Sequence, residues 1–211
     1  MKVVAINGSP KQNGNTYTTL NEIGKTVINE NIDFEIIHIG AKDIKGCMGC
    51  GKCYKNKDEK CVINTDILND LLPVIKEADG IILGSPVYYS GIAGTMKCFL
   101  DRMFYTSDSN GNWFRHKIGA SVVVARRSGG TMAFNALNHY LQISEMIIPS
   151  SNYWNIVHGA KPGEVLQDEE GIQTMHVLGK NIAWLLQSIN NYELKNIKPE
   201  KEQKIKTNFI R

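Results

Sequence analysis

Short apolar runs alternate along this chain with segments whose apolar residues recur at helical spacing, and this alternation constrains the fold more than any other feature. The first run, residues 2–7 (KVVAIN), ends at a glycine and has the composition of a strand that is buried on both faces. The segment 16–29 that follows places Leu20, Ile23 and Val27 on one helical face. Strands that alternate with helices predict a parallel sheet covered by helices on both sides.

Five such strand–helix units follow one another. They predict an α/β protein with a flavodoxin-like, doubly wound, five-stranded parallel sheet and helices on both faces. We expect one domain over residues 1–191, which includes a cysteine-rich loop at 46–61 (the cysteine loop), and a polar tail at 192–211. The predicted strands are residues 2–7, 34–39, 81–83, 120–125 and 155–157, and the predicted helices are 16–29, 66–78, 93–104, 132–147 and 171–189.

Composition argues against several classes of partner. The chain has 24 Lys and Arg against 21 Asp and Glu, a net charge of +3, which is too small an excess to indicate nucleic-acid binding. No stretch approaches the run of about 18 apolar residues that a membrane span needs. The apolar run at the N-terminus is too short for a signal peptide. We therefore expect a cytoplasmic protein that binds neither nucleic acid nor a membrane.

The loop after the first predicted strand, residues 7–16, has the residue types of an anion-binding loop. It offers hydroxyl and amide side chains, glycines and the free N–H groups of a helix start. It does not match a triphosphate loop, because five residues separate Gly8 from Gly14 and Asn15 stands in place of the phosphate-binding lysine. A terminal monophosphate suits the loop better. The alternative is a polar turn that caps the following helix.

Two further loops follow predicted strands three and four at the same edge of the sheet. Residues 84–94 contain a proline that stiffens the turn and tyrosines that offer planar surfaces. Residues 125–131 are small except for two arginines, and a cation there would favour the anionic reduced form of a flavin ring. Either loop alone could be an ordinary β–α turn, whereas three such loops at one edge indicate a flavin site.

These loops carry a resemblance to a known family. The strings GSPKQNGNT, GSPVYYSGIAGTMKCFLDR and HGAKPGEVLQDEEG resemble the NADPH-dependent FMN reductase superfamily, and the cysteine loop resembles that of its iron–sulfur flavoprotein branch. The resemblance implies non-covalent FMN and a homodimer or homotetramer. It implies that Ser9, Asn15 and Thr16 hold the phosphate and that residues 86–91 line the isoalloxazine ring. The full set of expected FMN-binding residues is Ser9, Lys11, Asn13, Asn15, Thr16, Pro86, Val87, Tyr88, Tyr89, Ser90, Gly91, Arg126, Gly129 and Gly130.

The cysteine loop contains Cys47, Cys50, Cys53 and Cys61. Three thiols spaced two residues apart among glycines can wrap an iron–sulfur cubane, and the fourth can reach back as the last ligand. We therefore predict a [4Fe-4S] cluster on these four residues. Free or redox-active thiols are the main alternative, since clusterless reductases of this superfamily carry similar cysteines. A zinc ion is the third alternative, although structural zinc sites usually use two closely spaced pairs of ligands separated by a longer loop.

The predicted function is that of an FMN-dependent oxidoreductase that passes electrons between FMN and a [4Fe-4S] cluster, with a ferredoxin-type donor. The alternative is a clusterless NAD(P)H-dependent reductase of FMN, quinones, nitro or azo compounds, with NAD(P)H as co-substrate. A non-catalytic binding module with a zinc knuckle is a hypothesis of another class. No residue is assigned a catalytic role. Asp101 and Arg102 are expected to form an ion pair at a helix end, and Cys98 is expected to be a buried small apolar residue.

Overall fold

The computed structural model describes residues 1–89, 91–191, 199–203, 205 and 207. The predictions for Ser90 and for most of the polar tail therefore lie outside the described residues. Within that part of the chain, no helix combines the length and the apolar character needed to cross a membrane. The elements are β1 (Lys2–Asn7), α1 (Asn15–Ile28), β2 (Asp33–His38), α2 (Lys52–Asn56), α3 (Leu68–Glu77), β3 (Gly80–Tyr88), β4 (Gly91–Ile92), α4 (Gly94–Ser109), β5 (Ile118–Ala125), α5 (Gly130–Ile143), β6 (Ile156–His158), a 3₁₀ turn (Glu164–Gln167) and α6 (Glu169–Ile189).

The sheet is built on five parallel strands in the order β2-β1-β3-β5-β6. This is the doubly wound, flavodoxin-like order, so the predicted fold class is confirmed. The sheet has a sixth strand that the sequence did not indicate: β4 is two residues long and pairs antiparallel with the end of β3.

Strand β1 separates two hydrophobic cores, because successive side chains of a strand point to opposite faces of the sheet. Val4 and Ile6 belong to the core that packs against α3, α4 and α5. Val3 and Ala5 belong to the core beneath α1 and α6. All four side chains are fully buried. This two-sided burial explains why the first apolar run has no polar alternation.

Two local predictions need correction. Residues 84–88 were expected in a loop, but they continue β3, because Gly84 to Pro86 pair in register with Val122 to Val124 of β5. The short helix α2 inside the cysteine loop was not predicted, and at five residues it is too short to show helical periodicity. The other predicted elements are present with boundaries shifted by a few residues.

The loop after β1 is held tightly between its two neighbouring strands. The Gly8 N–H donates to the Gly84 carbonyl (2.8 Å), and the Gly40 N–H donates to the Asn7 carbonyl (3.3 Å). On the same side, His38 Nε2 lies 2.7 Å from the Ser9 carbonyl oxygen. A Cβ atom at Gly40 would lie only 2.1 Å from that carbonyl oxygen, so the close approach requires glycine.

We therefore predict that Gly40→Ala lowers the free energy of unfolding by about 1 to 3 kcal/mol, because the added methyl group must displace backbone atoms of the neighbouring loop. Urea titration followed by circular dichroism measures the change. The matched control is Gly94→Ala, where a Cβ atom meets no atom within 4 Å and the φ angle is ordinary. Equal unfolding free energies for the two variants would contradict this account of the loop.

Candidate functional site

A cavity of about 340 Å³ opens at the carboxyl ends of the strands, and we call it the strand-end cavity. Four segments that are distant in sequence meet there, as expected for ligand sites in sheets of this order. It is lined by Ser9, Lys11, Gly14, Asn15, Thr16, Pro86, Val87, Tyr88, Val124, Arg126, Gly159, Ala160, Lys161 and Pro162.

The N-terminus of α1 forms the polar end of the strand-end cavity. Its N-cap residue, Gly14, provides no side-chain cap, and the first turn contains no acidic residue. The first N–H groups of a helix have no partner within the helix, and the helix dipole favours negative charge at this position. Thr16, in the first turn of α1, is buried and lines the cavity. Lys11 and Lys161 add positive charge to the lining, so this end of the cavity suits an anion.

Asn15 connects two of the loops that line the cavity. Its side-chain amide donates to the Lys161 carbonyl (2.9 Å) and accepts from the Gly163 N–H (2.8 Å). The N–H groups of Ala160 and Lys161 both donate to the Glu164 carboxylate, and these bonds lower the pKa of Glu164. The loop 159–163 therefore has its own amide donors occupied, and it contributes the Lys161 side chain as its charged group.

The strand-end cavity is also lined by apolar side chains from β3 and β5. Pro86 is buried, Val87 is partly buried, and Tyr88 is 46% exposed at the end of β3. Val124 lines the cavity from β5, and Arg126 lines it from the loop that follows this strand. Apolar side chains next to a cation suit a planar ring that has a polar edge.

The structure brings most of the predicted FMN-binding residues to this cavity. Ser9, Lys11, Asn15, Thr16, Pro86, Val87, Tyr88 and Arg126 line it, whereas Asn13, Tyr89 and Gly91 do not. Gly129 and Gly130 line a neighbouring pocket instead. The loop 159–162 was not assigned to the site, although its small residues follow the fifth predicted strand at the same edge, which is the signal that could have identified it.

The four cysteines of the cysteine loop line a second pocket, the cysteine pocket. All of them are free thiols: Cys47 and Cys50 are exposed, Cys53 is buried and Cys61 is partly buried. Two of the thiols are firmly placed. Cys53 lies on α2, which packs on α4 through the edge-on contact of Tyr54 with Tyr105 (5.0 Å between ring centroids).

Cys61 is fixed by its backbone. Its N–H donates to the Asn69 side chain, whose amide donates back to the Cys61 carbonyl, both at 2.9 Å. The exposed half of the loop has fewer constraints, and a Cβ atom at Gly49 or Gly51 would meet no atom within 4 Å. The cysteine pocket therefore has one rigid side and one open side.

Arg102 lines the cysteine pocket, and its position corrects the expected helix-end ion pair. Asp101 pairs with Lys97, whereas Arg102 is fully buried and pairs with Asp66. Burial lowers the pKa of Arg102, but its bonds to Asp66 and Cys61 outweigh burial and raise it. Burial raises the pKa of Asp66, but the bond from Arg102 and two backbone N–H bonds outweigh burial and lower it. Both groups therefore stay charged.

Sequence reasoning missed Arg102 as a site residue. The available signal was a charged residue at a core position of an apolar helical pattern, between Phe99 and Met103. Cys98, expected to be buried, is partly buried on the same helix.

The cysteine pocket is narrow, with a free volume of about 20 Å³. Among the described residues, no three His, Cys, Asp or Glu side chains converge closely enough to hold a single metal ion. A single zinc ion needs four sulfurs at about 2.3 Å from one point, whereas a cubane spreads its thiolates over a wider shell. The donor set, four cysteine thiols that line one pocket, fits an iron–sulfur cluster in number and chemistry.

A doubly wound parallel sheet whose strand-end cavity is lined by a helix N-terminus, two lysines and apolar side chains is the arrangement of a flavodoxin-like flavoprotein. Comparisons with known proteins agree. The sequence profile of the family described as NADPH-dependent FMN reductase matches residues 1–161. An iron–sulfur flavoprotein of Methanocaldococcus jannaschii is 35% identical over 90% of this chain and 99% of its own length. Another, from Archaeoglobus fulgidus, is 32% identical over 89% of this chain and 81% of its own length.

Among solved structures, a flavodoxin from the domain Archaea matches with a TM-score of 0.58 at 21% identity, over 89% of this chain and 99% of its own. This likeness shows the fold. The chain belongs to the NADPH-dependent FMN reductase family, in its iron–sulfur flavoprotein branch. It is a flavin-dependent oxidoreductase, and its cofactor is FMN.

The contacts of Asn15 give a testable prediction. Asn15→Ala removes both bonds to the loop 159–163, so it should lower the free energy of unfolding by about 1 to 2 kcal/mol. It should also speed amide hydrogen exchange in that loop, because the Gly163 N–H loses its acceptor. Exchange followed by mass spectrometry measures the effect, with Gln12→Ala, an exposed neighbour on the same loop, as the control. Unchanged exchange at 159–163 would show that Asn15 does not hold the loop.

Proposed function

We propose that this protein is an FMN-dependent redox protein in which the strand-end cavity holds FMN and the cysteine pocket holds a [4Fe-4S] cluster that exchanges electrons with it. The observation that carries the proposal is that four free cysteines line one pocket on the same domain as the anion site. The names of the iron–sulfur flavoprotein relatives support the same pair of cofactors.

The residues of the strand-end cavity would divide the work of holding FMN. The phosphate would take hydrogen bonds from the α1 N-terminus, Ser9 and Thr16, with Lys11 and Lys161 as counter-charges. Pro86, Val87 and Tyr88 would pack on the ring and exclude water from one face, and Arg126 would lie at its polar edge. The other predicted FMN contacts stay predictions, because they do not line the cavity: Asn13, Tyr89, Gly91, Gly129 and Gly130. Ser90 is also a predicted contact, and it lies outside the described residues.

The cysteine loop would supply the thiolates for the cluster. Cys53 and Cys61 are already held by α2 and by Asn69, and they would act as the fixed ligands. Cys47 and Cys50 would close on the cluster from the exposed side, where the glycines permit movement. When bound, FMN supplies two-electron and one-electron redox chemistry and the cluster supplies one-electron chemistry.

Helix α4 supports a functional link between the two sites. It begins at Gly94, directly after the β3–β4 hairpin at the strand-end cavity, and Arg102 contacts Cys61 eight residues later. That separation is about two helical turns, or about 12 Å along the axis.

A clusterless NAD(P)H-dependent reductase is the second candidate function. The narrow cysteine pocket favours it, because the thiols do not converge on one point in the structure. The same cavity would then bind FMN, NAD(P)H would deliver hydride to the ring, and the thiols would be free. The iron content of the protein separates the two candidates.

The physiological partners belong to the proposal as well. A ferredoxin-type donor suits a cluster that accepts one electron at a time.

We propose a homodimer or homotetramer in the cytoplasm. The exposed Trp154 (53%) and Trp184 (65%) support self-association, because large apolar side chains are enriched at subunit interfaces. Residues 1–191 would form the FMN-binding domain.

The phosphate site is tested by comparing two flavins. Thr16→Val should weaken FMN binding by about 1 to 3 kcal/mol, because one charge-assisted hydrogen bond to the phosphate is lost. It should leave riboflavin binding unchanged, since riboflavin has no phosphate. Fluorescence titration of the flavin-free protein measures both affinities, with Gln12→Ala as the control. An equal loss for the two flavins would move the phosphate away from α1.

The cluster is tested by the metal content of anaerobically purified protein. We expect about four irons and four sulfides per chain and a broad absorption shoulder beside the flavin bands. Replacing Cys47, Cys50, Cys53 or Cys61 singly with alanine should remove the shoulder while FMN remains bound. Cys98→Ala is the matched control and should retain it. Wild-type protein with full FMN and no iron would favour the clusterless reductase.

A further inference from the structure

The guanidinium of Arg102 makes contacts that the proposed function does not yet use. It lies fully buried on α4 and touches both ends of the cysteine loop. Nη1 donates to the carbonyl of Lys45 (3.1 Å), which precedes the loop, and Nη2 donates to the carbonyl of Ile63 (2.9 Å), which follows it. Nε donates to Cys61 Sγ at 3.3 Å. One side chain therefore closes the loop and contacts one of its thiols.

Asp66 holds this guanidinium in place. Its carboxylate pairs with Arg102 Nη1, and its side chain is only 2% exposed. The same carboxylate accepts from the backbone N–H groups of Lys45 (3.1 Å) and Leu68 (3.2 Å). The ion pair is therefore tied to the start of the loop, to its end and to the beginning of α3. A buried pair with this many additional bonds has a fixed geometry.

Only arginine can make this set of contacts. Its planar guanidinium presents five N–H donors in a fixed fork, whereas lysine presents one nitrogen on a flexible stem. A lysine could pair with Asp66, but the same nitrogen could not also reach Cys61 and the carbonyls of Lys45 and Ile63. The N–H bond to sulfur is therefore specific to arginine at this position.

We propose that Arg102 is the positioning residue of the cysteine loop: it fixes Cys61, and it raises the reduction potential of the cluster that the loop holds. The effect on the reduction potential rests on the proposed function. Hydrogen bonds to ligand sulfurs are among the factors that set cluster potentials. A donated N–H and a nearby positive charge stabilise the extra negative charge of the reduced cluster. The potential should therefore be higher with Arg102 than without it.

The test compares full-length variants purified anaerobically. Arg102→Lys keeps the buried charge and removes the bond to Cys61, and Arg102→Met/Asp66→Asn removes both charges together, so that neither is left unpaired. Arg115→Met is the matched control, because Arg115 pairs with Glu145 and has no contact with the cysteine loop among the described residues. FMN content verifies that each variant is folded.

Two readouts separate positioning from general stability. Amide hydrogen exchange over residues 45–66 should become about tenfold faster in Arg102→Lys and in the double variant, and remain unchanged in Arg115→Met. Spectroelectrochemical titration should give a more negative cluster potential in Arg102→Lys than in wild type, with the FMN potential unchanged. A merely structural role would not move the potential of a variant that retains its iron.

The proposal would be overturned if Arg102→Lys had the same amide hydrogen-exchange rates over residues 45–66 and the same cluster reduction potential as the wild type. Faster exchange with an unchanged potential would limit Arg102 to closing the loop and refute its effect on the cluster. Wild-type protein without iron would refute the cluster, and with it the effect of Arg102 on the reduction potential. The amide hydrogen-exchange rates of Arg102→Lys would still decide whether Arg102 positions the loop.

Discussion

The candidate flavin site depends on the burial of β1 between two helical layers. Because its side chains enter both cores, β1 cannot shift relative to β2 and β3, which pair with it on either side. The loop that follows is therefore held between the ends of those strands, and α1 begins with its uncapped N-terminus facing the strand-end cavity. The anion site follows from this constraint, since helix N–H groups require no charged side chain to attract a phosphate.

The second site depends on a few specific contacts instead of a buried strand. The cysteine loop buries little of its own surface, and it is attached to the domain by α2, Asn69 and Arg102. A loop held in this way can be rigid on one side and open on the other. Helix α4 follows the β3–β4 hairpin and carries Arg102, which contacts Cys61.

The sequence predicted the features that have a local or periodic cause. Apolar runs and helical spacing indicated five parallel strands. The loops at their carboxyl ends, together with the family resemblance that they carry, identified eight residues that line the strand-end cavity. It could not predict contacts between distant segments. Asn15 meets Lys161 across 146 positions, and Arg102 meets Cys61 across 41. β3 extended further than expected because pairing with β5 overrides the turn signal of Pro86.

We propose that one domain holds FMN at the α1 N-terminus and an iron–sulfur cluster in the cysteine pocket. The decisive experiment is an anaerobic crystal structure with diffraction data collected at the iron absorption edge. We expect phosphate density against the first turn of α1 and Thr16, and anomalous iron density enclosed by Cys47, Cys50, Cys53 and Cys61. Flavin phosphate bound elsewhere, or well-ordered cysteines without iron beside bound FMN, would contradict it.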